Sequence, residues 1–86
     1  MSRREKTLLN ILCGTKDNNI AFDDLCGILD NIGFSCRVKG DHYIFTKPDV
    51  EEITNIQPLG DKAKAYQVKQ VRNLIHKYGL GGDLNV

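Results

Sequence analysis

The first third of this chain carries two clusters of apolar residues separated by a polar stretch. Between Arg4 and Cys13, apolar residues recur on one helix face, and Gly14 follows as a helix terminator. These apolar residues are Leu8, Leu9, Ile11 and Leu12. The pattern predicts a short helix over Arg4–Cys13 and a polar loop over residues 15–19.

A second, amphipathic helix is predicted over Phe22–Asn31. Its apolar residues return at helical spacing, and Gly33 ends it. They are Phe22, Leu25, Ile28, Leu29 and Ile32. Asp23 and Asp24 lie in the first turn, where the helix dipole stabilises negative charge.

The middle of the chain has the pattern of a β-meander. Apolar and polar residues alternate over Phe34–Val38, the turn Lys39–Asp41 follows, and aromatic and β-branched residues dominate His42–Thr46. Pro48 and Asp49 break this second strand, and Pro58–Gly60 ends a third strand predicted over Glu52–Gln57. The pattern does not decide which face of the second strand is buried. Tyr43 and Phe45 share one face, and His42, Ile44 and Thr46 share the other.

The last predicted element is a helix over Ala63–Tyr78. Its buried face carries Val68, Val71, Ile75 and Tyr78, and a different face carries Lys69, Arg72 and His76. An antiparallel sheet with helices on one face buries these stripes economically. We therefore expect an α+β domain with a three-stranded antiparallel sheet and helices packed on one face. The order α-α-β-β-β-α contains that of a double-stranded-RNA-binding-domain-like fold.

Composition and length are those of one small globular domain. The chain has 86 residues, of which 41% are hydrophobic and 27% charged. The net charge of +1 conceals an asymmetry, because residues 61–78 carry basic residues against Asp61 alone. These basic residues are Lys62, Lys64, Lys69, Arg72 and Lys77. The distribution fits a face that binds a polyanion, and it fits a plain solvated helix face equally well.

Cysteine spacing and hydropathy indicate the cellular compartment and the kinds of site that the protein can have. Cys13, Cys26 and Cys36 are widely spaced, which favours free thiols in a reducing cytosol over a disulfide framework or a zinc knuckle. No cluster of acidic residues and histidines has metal-ligand spacing, so we expect no metal and no cofactor. No apolar run is long enough for a membrane span, and no signal peptide is visible. The sequence predicts a cytoplasmic protein that does not bind a membrane.

The stretch Lys39–Phe45 places a histidine directly after a glycine turn. Together with Asn31–Phe34 before it and Lys62–Arg72 after it, this stretch resembles the HicA family, small toxins of bacterial toxin–antitoxin pairs. The resemblance runs from about residue 20 to residue 80 and lies in the order and spacing of short motifs. The family's turn often reads Gly-Ser-His-His. Gly40 and His42 match it, whereas Asp41 and Tyr43 stand where a serine and a second histidine are common.

The resemblance implies a ribonuclease that cleaves messenger RNA and stops translation. It also implies a HicB-like antitoxin as the protein partner, covering the active site. On this interpretation residues 1–19 are an N-terminal helical extension, residues 20–80 the ribonuclease domain, and residues 81–86 a flexible tail.

A metal-free ribonuclease needs a base for the 2′-hydroxyl, an acid for the leaving 5′-oxygen, and cations for the phosphorane. We expect His42 to be the catalytic acid or base, since histidine exchanges protons near neutral pH. The predicted RNA-binding residues are Arg37, Lys39, Lys62, Lys64, Lys69 and Arg72. Tyr43 and Asp41 are possible auxiliary groups, the first to orient substrate or carry a second proton and the second to set the imidazole tautomer. His76 is expected to be structural or a surface residue.

Two other function classes stay open from the sequence. The chain could be an RNA-binding module that kept the fold without the chemistry. It could also be a protein-interaction domain whose basic helix binds only its partner. DNA is not expected as a ligand of the protein by itself.

Overall fold

The computed structural model describes residues 3–80. Within that range three helices accompany a three-stranded antiparallel sheet whose strands lie side by side in chain order. The helices are α1 (Arg3–Cys13), α2 (Phe22–Asn31) and α3 (Ala65–Tyr78), and the sheet strands are β1 (Ser35–Lys39), β2 (His42–Lys47) and β3 (Val50–Ile56). The order α-α-β-β-β-α confirms the predicted α+β fold of the double-stranded-RNA-binding-domain type.

One hydrophobic core joins the helices to one face of the sheet. Phe45 of β2 and Ile56 of β3 are fully buried there, against apolar residues from all three helices. Helix α1 contributes Leu8 and Ile11 to this core and leaves Leu9 45% exposed. The N-terminal helix therefore packs with the rest of the domain as one body. The predicted flexible tail, residues 81–86, lies outside the described residues.

The core decides which face of β2 is buried. Phe45 is buried, and the ring of Tyr43 packs edge-on against Phe22 with centroids 4.9 Å apart. Because side chains alternate along a strand, His42 and Ile44 lie on the opposite, open face. The sheet thus has one face covered by helices and one face free to meet a ligand.

The segment between β3 and α3 differs from the sequence-based expectation. Pro58–Leu59 (β4) and Lys62–Ala63 (β5) form a second small hairpin, so the last helix begins at Ala65 rather than Ala63. Gly60 has a φ of 64°, which a tight turn between such short strands requires. Ala63 also donates its N–H to the Ile20 carbonyl at 2.9 Å. This hydrogen bond and the pairing of β4 with β5 override the helical preference of the segment.

Other element boundaries moved by a few residues. The third strand begins at Val50 rather than Glu52, because Pro48 and Asp49 form the turn of a hairpin in which Lys47 pairs with Val50. The predicted polar loop over residues 15–19 contains a turn of 3-10 helix, Asp17–Asn19. Neither change alters the topology.

Candidate active site

The open face of the sheet brings the predicted site residues of the first hairpin together. Lys39 lies directly opposite His42, and Arg37 lies opposite Ile44. Directly opposed residues of an antiparallel pair point to the same face, so Arg37 and Lys39 share the face of His42. Asn55 of β3 lies opposite Ile44 from the other side and belongs to this face as well. The result is a polar, basic surface around one histidine.

The imidazole of His42 is held at both ring nitrogens. Its Nδ1 lies 3.1 Å from the side-chain oxygen of Asn55, and its Nε2 lies 3.2 Å from the side-chain nitrogen of Gln57. The side chain is 46% exposed. Two amides therefore fix the ring in one orientation while part of it stays accessible to a ligand.

The contact between Lys64 and Gln57 favours one tautomer of the neutral His42 ring. Its ammonium group lies 3.4 Å from Oε1 of Gln57 and can only donate, so the Gln57 oxygen faces Lys64 and the Gln57 nitrogen faces His42. The amide of Gln57 then donates to Nε2 of His42. Nδ1 must consequently bear the hydrogen and donate to Asn55. In a neutral ring this arrangement puts the lone pair on Nε2.

Asp41 lies on the Nε2 side of the same ring. Its Oδ1 is 3.7 Å from Nε2, beyond hydrogen-bonding distance, and its side chain is 73% exposed. The tautomer is thus set by Gln57 and Asn55 rather than by Asp41.

A buried glutamine of α3 anchors this arrangement. Gln67, only 1% exposed, donates to the carbonyl oxygen of Gln57 at 3.0 Å and accepts from its N–H at 2.9 Å, in the amide orientation that satisfies both groups. The backbone of Gln57 is therefore fixed by the helix packed behind the sheet. Sequence reasoning missed Asn55, Gln57 and Gln67. The signal was available in the alternation of Asn55 and Gln57 along a strand and in a glutamine beside the apolar stripe of the last helix.

Tyr43 and Arg72 lie away from His42. Tyr43 is on the core side of β2 against Phe22, so it does not share the open face. Nη1 of Arg72 donates to Asp17 at 2.9 Å and to the carbonyl of Ile11 at 3.1 Å, and its side chain is 17% exposed. This guanidinium ties α3 to the segment that follows α1.

The remaining predicted cations, Lys62, Lys64 and Lys69, differ in burial. Lys64 is half-buried and reaches Gln57, Lys62 is half-buried on β5, and Lys69 is exposed on α3. His76 is exposed in the last turn of α3, in agreement with the expected surface position. Of the predicted RNA-binding set, Arg37, Lys39 and Lys64 are the residues that the structure connects most directly to His42.

Within residues 3–80, no group of three His, Cys, Asp or Glu side chains is placed to hold a metal ion. The helices of this range are also too short or too polar to cross a membrane. Comparison of the chain with protein-family models, with curated proteins and with solved structures finds no match in any of the three. A functional assignment must therefore stand on the residues of the site and their geometry.

Proposed function

We propose that this protein is a HicA-like toxin, an endoribonuclease that cleaves messenger RNA without a metal and uses His42 as its general acid–base group. The observation that carries the proposal is the state of His42. Its partly exposed ring is held by Asn55 and Gln57 in the tautomer with a basic Nε2, on a face that also presents Arg37 and Lys39.

The chemistry follows from the nucleophile that RNA carries. The substrate 2′-hydroxyl takes the place of the Gln57 amide at Nε2, and His42 accepts its proton. The 2′-oxygen then forms a bond to phosphorus, and the bond from phosphorus to the 5′-oxygen breaks. The leaving 5′-oxygen takes up a proton from solvent water, and the His42 imidazolium then returns its proton to solvent, so the products are a 2′,3′-cyclic phosphate and a 5′-hydroxyl. Arg37 and Lys39 neutralise the charge that develops on the phosphoryl oxygens.

Asp41 and Lys64 each support one step of this cycle, the proton transfer to His42 and the return of the ring to its resting tautomer. Asp41, 3.7 Å from Nε2, stabilises the imidazolium formed after proton transfer. Lys64 restores the resting tautomer through Gln57 once the product has left. General acid–base catalysis of this kind contributes roughly 10²–10⁴-fold to a rate, which is sufficient for a slow enzyme acting on messages inside a cell.

A small acidic HicB-like antitoxin would neutralise the toxin by covering this face. All five residues of β1 are exposed, and within residues 3–80 the strand pairs only with β2. Arg37 and Lys39 give the uncovered strand a positive charge, which complements an acidic partner. Both the toxin and its message substrate would meet in the cytoplasm.

One observation favours a second candidate, a non-catalytic RNA-binding module of the same fold. Both nitrogens of His42 have partners within the protein, as they do in a histidine with a purely structural role. The basic open face would then hold RNA, and Gln57 would not leave Nε2.

Cleavage of a long purified RNA in EDTA distinguishes the two candidates. Wild type, His42→Ala and His76→Ala are compared, the last serving as control because His76 is an exposed histidine outside the site. We expect wild type and His76→Ala to leave 2′,3′-cyclic phosphate ends and His42→Ala to lose at least about 100-fold in rate. Equal cleavage by all three would exclude a catalytic His42. RNA binding by all three folded proteins without cleavage would establish the non-catalytic module.

A further inference from the structure

A groove of about 360 Å³ lies between β3 and α3, next to the His42 site. Its volume is within the range of roughly 300–1,000 Å³ that small-molecule sites occupy in proteins. Asn55 lines the groove and also holds Nδ1 of His42. Asn55 therefore borders both the groove and the proposed catalytic ring.

The lining of the groove combines amides with apolar walls. Gln70 and Asn73 line it with exposed side chains, and each amide carries a donor and an acceptor group. Ile53 and Leu74 supply apolar surface, and Ile53 is 67% exposed although it lies in the sheet. Amides that pair with polar edges, next to apolar surface that covers a flat face, are the contacts by which proteins recognise unstacked bases.

An exposed aromatic residue extends the same helix face. Tyr66, Gln70 and Asn73 are spaced at i, i+4 and i+7 along α3, so they lie in one row. Tyr66 is 57% exposed and sits beside Gln67, the residue that anchors Gln57. Its exposed ring offers a flat surface on which a base can stack.

The negative charge of Glu52 in the groove disfavours a phosphate and favours a neutral group. Glu52 lines the far end, where Lys77 donates to it at 2.8 Å and the hydroxyl of Tyr78 at 2.6 Å. These hydrogen bonds lower the pKa of Glu52 to about 2, so it is a fixed carboxylate at neutral pH. The phosphates would instead follow Arg37 and Lys39 on the open face of the sheet.

We propose that this groove binds a nucleobase of single-stranded RNA beside the scissile phosphate, with Gln70 and Asn73 reading the base edge, and that it sets the cleavage-site preference. The role in cleavage-site preference rests on the proposed ribonuclease function. Base binding in the groove can be tested without that function. A base in the groove and a ribose at His42 would both contact Asn55.

The first experiment maps 5′-hydroxyl ends on one long RNA after cleavage by wild type and by the double variant Gln70→Ala/Asn73→Ala. His76→Ala is the matched control, an exposed residue of the same helix. We expect the preference for one base next to the cut to fall by about fivefold or more in the double variant, as for loss of a base-edge contact. The control should reproduce the wild-type map. An unchanged map in the double variant would overturn the base site and leave the ribonuclease intact.

The second experiment needs no cleavage. Each of the four 5′-mononucleotides is titrated into ¹⁵N-labelled protein while the side-chain amide signals of Gln70, Asn73 and Asn55 are followed. One nucleotide should shift these signals at lower concentration than the others, and the double variant should lose that selectivity. Shifts in a protein that never cleaves RNA would sustain the base site while refuting the ribonuclease. Absent shifts with all four nucleotides would overturn the base site.

Discussion

The buried side chain of Gln67 holds the backbone of Gln57 at both its N–H and its carbonyl, at 2.9 and 3.0 Å. Gln57 in turn donates its side-chain amide to Nε2 of His42. A residue inside the helical layer thus positions a histidine on the opposite, open face of the sheet. The site depends on the packing of α3 although its histidine belongs to β2.

Removal of the Gln67 amide should destabilise the fold. In Gln67→Met the N–H and carbonyl of Gln57 lose their partner, and we expect the free energy of unfolding to fall by about 1–3 kcal/mol. Urea denaturation measures the change. The control Gln70→Ala alters an exposed glutamine of the same helix and should stay within about 0.5 kcal/mol of wild type. Equal stability of the two variants would contradict the described role of Gln67.

The tautomer of His42 can be read directly by long-range ¹H–¹⁵N correlation at alkaline pH. We expect a protonated Nδ1 in wild type, because Lys64 orients the Gln57 amide toward Nε2. In Gln57→Glu the new carboxylate can only accept, so the proton should move to Nε2. The signals of His76, outside the site, should be the same in both proteins. A protonated Nε2 in wild type would disprove the proposed hydrogen-bond order.

Arg72 should contribute to stability through its contacts with Asp17 and the Ile11 carbonyl. Arg72→Met removes the cation that pairs with Asp17, whose side chain is only 21% exposed. We therefore expect the free energy of unfolding, measured by heat or urea, to fall by about 1.5–3 kcal/mol. Arg72→Lys should recover only part of it, since an ammonium lacks the guanidinium's forked set of donors. Lys69→Ala, an exposed cation of the same helix, is the control. Full recovery by lysine would show that charge alone matters.

The ionisation of Glu52 should make the folded protein less stable at acid pH. Its hydrogen bonds from Lys77 and Tyr78 lower its pKa from 4.5 to about 2 in the folded protein. A carboxyl whose folded pKa is depressed stabilises the native state above its unfolded pKa, and this contribution is lost as the pH falls from about 4.5 to about 2. Glu52→Gln should therefore lower the melting temperature at pH 7 and leave it nearly unchanged at pH 2. A constant difference between wild type and variant at both pH values would refute this linkage. The raised pKa of Lys77 reflects the same contact and is not an additional contribution.

Cys26 should react more slowly than the other cysteines. Burial, aided by Cys36 and Asp23, raises its pKa from 9.0 to about 12, so its thiolate fraction at pH 8 is roughly a thousandfold below that of a free thiol. Cys13 and Cys36 are exposed. Alkylation with iodoacetamide followed by peptide mass spectrometry should modify those two first in the native protein. As a control, all three cysteines should be alkylated at equal rates in urea. Equal alkylation rates in the native state would be inconsistent with the burial of Cys26.

Local sequence patterns determined most of the architecture. The apolar spacing of α2, the alternation of β1 and β2 and the glycine turn before His42 are properties of neighbouring residues, so they predict the α+β order and the position of the histidine. The same patterns placed Arg37 on the strand before this turn and Lys39 in the turn itself, and the structure extends the strand to Lys39. Each of these inferences uses residues within one helix turn or one hairpin of each other.

Tertiary structure decided what surrounds His42 and which side of the sheet it occupies. Strand periodicity says that His42 and Ile44 share a face but not whether that face is buried, and only the packing of Phe45 against the helices settles it. Asn55 and Gln57 reach His42 from 13 and 15 positions away, and Arg72 reaches Asp17 from 55 positions away. Such partners are set by how the sheet and helices pack, because hydrogen bonds between distant residues leave no periodic signal in the sequence.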